Sequence, residues 1–212
     1  RQRQMCIRDR FGKRAKGCAQ KKSRFGYINK NFTERLLKMQ MSDDIILNMS
    51  NKSFLKIITA AAADSRLSKT AFFIQHGNTS CLLHCIAVAY YCYRLAERFK
   101  ALKGHENELV RGALLHDYFL YDWHIPDENR PLHGRYHPSA ALKNAEEDFE
   151  LSDMERDIIK KHMFPLTLTP PAYKESLLVC LVDKACSIYE IFSRKAYKNR
   201  QIRSAFEKIK NS

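Results

Sequence analysis

Four polar residues interrupt stretches that are otherwise apolar and helical in period. His84 sits within Leu82-Leu83-His84-Cys85-Ile86, His116 and Asp117 close the run Gly112-Ala113-Leu114-Leu115, and Asp183 follows Leu181-Val182. Burying an unpaired charge is expensive, so two imidazoles and two carboxylates on apolar helix faces ask for a common partner. A divalent cation satisfies all four. Successive residues of a helix point about 100° apart, so His116 and Asp117 cannot both face one flat neighbour, yet they can straddle an ion lying beside the helix. A single histidine on an apolar face is ordinarily a satisfied core residue. It is the joint pattern that indicates a metal.

These residues need helices to carry them, and from about residue 31 the sequence supplies little else. Strict apolar alternation is nearly absent, which predicts an all-α fold. Short helices are expected at Phe32 to Met39 and Phe54 to Ala63. A long one follows from Thr79 to Phe99, its broad apolar surface implying burial among other helices, and another from Glu108 to Tyr118. The segment Phe119 to His137 is rich in aromatic residues, His, Pro and Asp, and reads as a long ordered loop of the kind that often serves function. Pro138 can open a helix from Ser139 to Phe149. Ser152 and Glu155 form a capping box for a helix reaching His162. The last major helix, Tyr173 to Lys195, is expected to bury Leu177, Leu178, Leu181, Val182, Ala185, Ile188, Tyr189 and Phe192. A basic surface helix, 197–212, ends the chain.

Composition narrows the classes. With 212 residues, 45% of them hydrophobic, the chain can build one domain with a real core plus an extension. The formal charge of +14 suggests a polyanionic partner until it is located: residues 1–24 carry +9 and the remaining 188 only +5. That opening stretch lacks apolar periodicity and resembles, around Met5 to Arg10, the conceptual translation of sequencing-adapter DNA. Residues 1–30 are therefore expected to be a disordered or artefactual tail, which argues against a nucleic acid partner. Residues 31–70 form an expected helical extension and residues 71–196 the main domain. No apolar run approaches the roughly 20 residues that span a bilayer. Cys81, Cys85, Cys92, Cys180 and Cys186 fall in apolar helical patterns and read as reduced thiols, consistent with a cytoplasmic protein without a membrane partner.

A histidine, then His-Asp ending an apolar helix, then a distant Asp in a late helix resembles the HD-domain phosphohydrolases, over about residues 72 to 195. The string Gly112-Ala113-Leu114-Leu115-His116-Asp117 and the pair Asp183-Lys184 carry most of the likeness. The resemblance implies a single HD-type domain in which His84, His116, Asp117 and Asp183 ligate one metal ion. Some members of the family hold a second ion with two further histidines, the aspartate of the His-Asp pair bridging. His137 and His162 occupy the corresponding regions. Such members often show adjacent histidines at the second place, whereas Met163 follows His162 here, so one or two ions remain open.

Mixed imidazole and carboxylate ligation suits manganese, iron, nickel, cobalt or zinc. An ion held by three or four protein ligands keeps a position for water and lowers its pKa towards neutrality. Phosphate charge also needs fixed cations. Among Arg111, Arg135, Lys161 and Lys184, all near proposed ligands, Arg135 and Lys184 are the expected catalytic pair beside Asp117. The expected activity is hydrolysis of a phosphate ester or anhydride in a nucleotide or other small phosphorylated metabolite. A regulatory module that binds a metal or nucleotide without turnover is the alternative. Oligomeric state is not readable.

Overall fold

The computed structural model describes residues 49–63, 65–125 and 133–211. The expectations for the tail and for a helix at Phe32 to Met39 lie outside those residues. Residues Ser50–Ser212 form one unit. Its helices are α1 (49–62), α2 (Cys81–Arg98), α3 (Glu106–Leu115), α4 (His133–Asp148), α5 (Asp153–Lys161), α6 (Lys174–Phe192) and α7 (Arg200–Lys210). The fold is all-α, as expected. A two-stranded hairpin, β1 (Ile74–His76) and β2 (Thr79–Ser80), precedes α2, and a short 3-10 turn, Leu67–Phe72, precedes the hairpin.

Helix α2 is the axis of the unit, packing against α3, α6 and α7, while α5 joins α3 to α4 and α6. Leu82, Ile86, Ala87, Val88, Ala89, Cys92 and Ala96 are all inaccessible to solvent, which is what a helix apolar on every side requires. Its start is set by Ser80, whose hydroxyl accepts from the Leu83 amide. Helix α5 begins with the expected capping box, since Ser152 and Glu155 satisfy one another's backbone amides. Phe54 and Ile58 of α1 enter the same core, Phe54 lying edge-on to Tyr90 at 5.4 Å between ring centroids. Ile202, Ala205 and Ile209 anchor α7 by one face, leaving the basic residues Arg203, Lys208 and Lys210 on the other.

Two expectations are corrected. Helix α4 starts at His133, well before Pro138, and runs through the proline. One intrahelical bond, to the Gly134 carbonyl, is thereby forgone, and His137 lies on a helix rather than in a loop. The orientation of α6 is the second. Of the residues expected inside, Val182 is buried, but Leu177, Leu181, Ala185, Ile188, Tyr189 and Phe192 are exposed, whereas Glu175, Ser176, Val179, Cys180, Asp183, Cys186 and Glu190 are buried. Because α6 is apolar around most of its circumference, periodicity could not choose its inner face. The carboxylates of Asp183 and Glu190, which find partners only inside, point inward.

Candidate metal centre

The four residues that interrupt apolar helix faces converge. His84 Nε2 lies 3.3 Å from His116 Nε2 and 3.1 Å from Asp183 Oδ1. His116 Nε2 is 3.6 Å from Asp183 Oδ1 and 3.5 Å from Asp117 Oδ2, and His84 Nε2 is 3.8 Å from that same oxygen. Donors about 2.1 Å from one ion stand roughly 3.0 to 3.4 Å apart in right-angled or tetrahedral arrangement; two of these separations match, and the other three exceed the range by no more than about 0.4 Å. All four side chains are buried.

His137 and His162 form a second group on the other side of Asp117. His137 Nε2 is 3.1 Å and His162 Nε2 3.4 Å from Asp117 Oδ1, and the two nitrogens are 2.8 Å apart. Asp117 thus turns one oxygen to each group. Its Oδ1 is buried and accepts no well-formed hydrogen bond among the described residues.

The imidazole tautomers sharpen the fit. The Nδ1–H of His116 donates to the Ala113 carbonyl at 2.8 Å, that of His162 to Ile159 at 2.8 Å, and that of His84 to the Glu190 carboxylate at 2.9 Å. Each Nε2 therefore presents a lone pair to the interior. Two lone pairs facing across 3.3 Å, as in His84 and His116, repel unless a cation lies between them. In the ion-free protein the neighbouring carboxylates favour a proton there. Burial works against charge on both rings, but Asp183 and Glu190 hold His84, and Asp117 holds His116, well above the ordinary imidazole value. Burial likewise opposes ionisation of Asp117 and Asp183, yet the neighbouring histidines keep both carboxyls well below theirs. For His162 burial outweighs Asp117 and lowers the ring below its ordinary value. A pairing of carboxylates with imidazoles that must borrow protons is the chemistry of a divalent-metal site, and the residues present fit one.

Local structure explains the convergence. Helices α3 and α5 approach closely at Gly112, where an added Cβ would stand 2.6 Å from Ile158 Cδ1. Each helix ends one turn later in a histidine still in helical conformation, and the rings of His116 and His162 meet edge to face at 4.9 Å. The chain beyond Asp117 is fixed to α4: Asn144 Nδ2 donates to the Tyr118 carbonyl, and the Tyr118 hydroxyl donates to Asp148. Arg66 holds Asp148 from the far side.

A cavity of about 290 Å³ opens on the group, with Asp117, His137, His162 and Asp183 in its wall. Lys184 also reaches the wall, but its ammonium donates to the His162 carbonyl at 2.9 Å and to Cys180. Arg135 is exposed and is not among the residues that line this cavity. Lys161 pairs with Asp157, and Arg111 with Glu155 and the Glu150 carbonyl. The structure therefore brings together His84, His116, Asp117, Asp183, His137 and His162, places Lys184 beside them, and leaves Arg135 outside.

Three contributors went unread in the sequence. Gln75 donates to Asp117 Oδ2 from the hairpin, His76 adjoins His84 with 5.4 Å between rings, and Glu190 backs His84. The alternation of exposed Ile74, buried Gln75 and half-buried His76 is a strand pattern only three residues long. Glu190 had a clearer signal, as an acid seven residues, or two turns, beyond Asp183 on an apolar helix.

No curated protein and no solved structure matches the chain. The profile of the HD domain family matches residues 82–188, which span α2 through most of α6 and contain all six converging residues. On that match, over half of the sequence, the chain belongs to the HD domain family, within the superfamily of metal-dependent phosphohydrolases.

Proposed function

We propose that this protein hydrolyses a phosphate ester or anhydride of a nucleotide or other small phosphorylated metabolite in the cytoplasm, with one or two divalent ions of manganese, iron, nickel, cobalt or zinc. The convergence of His84, His116, Asp117 and Asp183 beneath a cavity of about 290 Å³ is the observation that carries this reading. Cavities of roughly 300 Å³ and above accept small organic ligands, so the size suits a metabolite. A bound divalent ion supplies Lewis acidity and lowers the pKa of a water towards neutrality.

The protein's own residues do the rest. His84, His116 and Asp183 would hold one ion, and His137 and His162 a second where two are bound, with Asp117 offering an oxygen to each group. Tautomers fixed by Ala113, Ile159 and Glu190 keep the donor atoms turned inward without reorganisation. Lys184, its ammonium fastened to the His162 carbonyl, places a fixed positive charge at the cavity wall, where it offsets the charge of a phosphoryl group. No helix among the described residues is long and apolar enough to cross a membrane.

One observation favours a second reading. Lys184 already spends its donors on the backbone and Arg135 lies outside the cavity, which fits a module that binds a metal or nucleotide without turnover. Metal-reconstituted protein with measured occupancy, assayed on a broad panel of phosphomonoesters, diesters and anhydrides, separates the two. Turnover abolished by Asp117→Asn supports the hydrolase. Full occupancy with no turnover on any compound supports the binding module.

A further inference from the structure

The most deeply set of the converging residues is controlled from outside the stretch that matches the family. Glu190 lies two residues beyond that stretch, near the end of α6, and is wholly inaccessible to solvent. Both of its oxygens lie against a single atom, His84 Nδ1, at 2.9 and 3.0 Å. The Tyr197 hydroxyl donates to Glu190 Oε1 from the strap between α6 and α7. Tyr197 takes a φ of 57°, a left-handed conformation that bulky residues rarely adopt. Arg203 of α7 pins the strap there, donating to the Tyr197 carbonyl at 2.7 Å and the Ala196 carbonyl at 2.8 Å. From the opposite side the hairpin turn closes on the same residue: a Cβ on Gly77 would stand 2.8 Å from the Glu190 carbonyl oxygen.

Among the described residues, the one ion pair that Glu190 makes is with His84. No Lys or Arg among those residues offsets its burial. A carboxylate taken out of water at such cost, with three separate segments built around it, serves the group it touches. We propose that Glu190, fastened by Tyr197, is a positioning residue for His84 as a metal ligand: it fixes the Nδ1–H tautomer, turns the bare Nε2 inward and raises its electron donation. An ion at His84, His116 and Asp183 is accordingly held more tightly than one at His137 and His162. This rests on the metal-dependent reading given above.

Calorimetric titration of the full, ion-free chain with Mn²⁺ tests it in wild type, Glu190→Gln and Tyr197→Phe, alongside thermal unfolding of each without metal. Glutamine keeps one acceptor oxygen for the Nδ1–H and nearly the same volume, while it removes the charge and turns the second oxygen into an amide donor. Expected is a tightest association weakened about 10- to 100-fold in Glu190→Gln and about threefold in Tyr197→Phe, whatever the accompanying shift in ion-free unfolding. A Glu190 that matters only for packing gives instead a lower unfolding temperature with Mn²⁺ affinity unchanged within about twofold, and that result overturns the proposal. Should Glu190→Gln not fold, Tyr197→Phe and the nitrogen-15 spectrum of Zn²⁺-loaded wild type decide. A His84 ring protonated at Nδ1 supports the assignment, and one protonated at Nε2 removes it. Wild type that takes up neither Mn²⁺ nor Zn²⁺ sinks the metal-dependent reading and this proposal together. Binding in wild type that is indifferent to Glu190 sinks this proposal alone.

Discussion

Asp117 divides the site into two unlike halves. On the side of Oδ2, His84 is backed by a buried carboxylate, His116 by a carbonyl, and Asp183 reaches in from α6. On the side of Oδ1, His162 is backed by a carbonyl alone, and both His137 and His162 form part of the cavity wall. Charge behind a ligand strengthens its hold on an ion, and exposure to a cavity allows ligands to exchange. On the proposed metal-dependent reading, the first half would hold its ion more tightly and the second, with both its histidines in the cavity wall, would stand nearer a substrate.

Removing the shared residue should have the largest effect. Asp117→Ala deletes a donor from both halves, and loss of about 4 kcal/mol of transition-state stabilisation corresponds to a rate reduced roughly 10³-fold, with occupancy falling at both positions by elemental analysis. The halves should then separate. His84→Ala is expected to release the tightly held ion and lower turnover by somewhat less than Asp117→Ala, whereas His162→Ala should keep that ion and lose about 10- to 100-fold in kcat/KM. Equal loss of metal in the two variants would erase the distinction between the halves.

The first half was legible in the sequence and most of the second was not, for a physical reason. His84, His116, Asp117 and Asp183 each break an apolar run, so the cost of burying them is visible in one dimension. His137 and His162 stand at polar helix ends, where a histidine is unremarkable, and only the likeness to a family singled them out. Gln75 and Glu190 show the limit from another side. Gln75 belongs to a hairpin too short for alternation to register, and Glu190 follows a stretch of α6 that is apolar on all faces. That same uniformity hid much of the inner face of α6: Leu177, Leu181 and Phe192 were expected there, but they are exposed, and Glu190 lies inside beside the expected Asp183. Arg135 and Lys184 were chosen by nearness in sequence, which says nothing about direction. The structure turns one away from the cavity and occupies the other with the backbone.

The close approach of α3 and α5 joins the halves, and it can be prised apart. Gly112→Ala would set a methyl 2.6 Å from Ile158 Cδ1 and 3.2 Å from Ile158 Cβ, and the β-carbon cannot swing away as a chain end can. Overpacking of this kind costs about 1 to 3 kcal/mol in chemical denaturation. Because His116 and His162 cap these two helices, the strain should also weaken metal binding more than an equally destabilising change remote from α3 and α5. If affinity is unchanged at the same loss of stability, the helix contact does not set the spacing of the donors.

The smallest effect concerns the latch that ties the chain behind Asp117 to α4, the helix that carries His137. Asp148 accepts from Arg66 Nε at 2.9 Å and from the Tyr118 hydroxyl at 2.6 Å. Partial burial would raise its pKa, but Arg66 and Tyr118 together lower it below the ordinary 3.8. A carboxyl with a depressed folded-state value adds stability that is present in full above its unfolded value and is lost as pH falls through the folded one. With Arg66 one-third exposed, screening limits the contribution to about 1 kcal/mol. Asp148→Asn should therefore lower stability by about that amount at neutral pH, and the gap between variant and wild type should close as the pH drops below about 4. Since the latch holds α4 rather than α2 or α6, its loss should loosen an ion at His137 and His162 and leave one at His84, His116 and Asp183 in place. Mn²⁺ titration of Asp148→Asn checks this, and equal weakening of both positions would mean that the two halves move as one body.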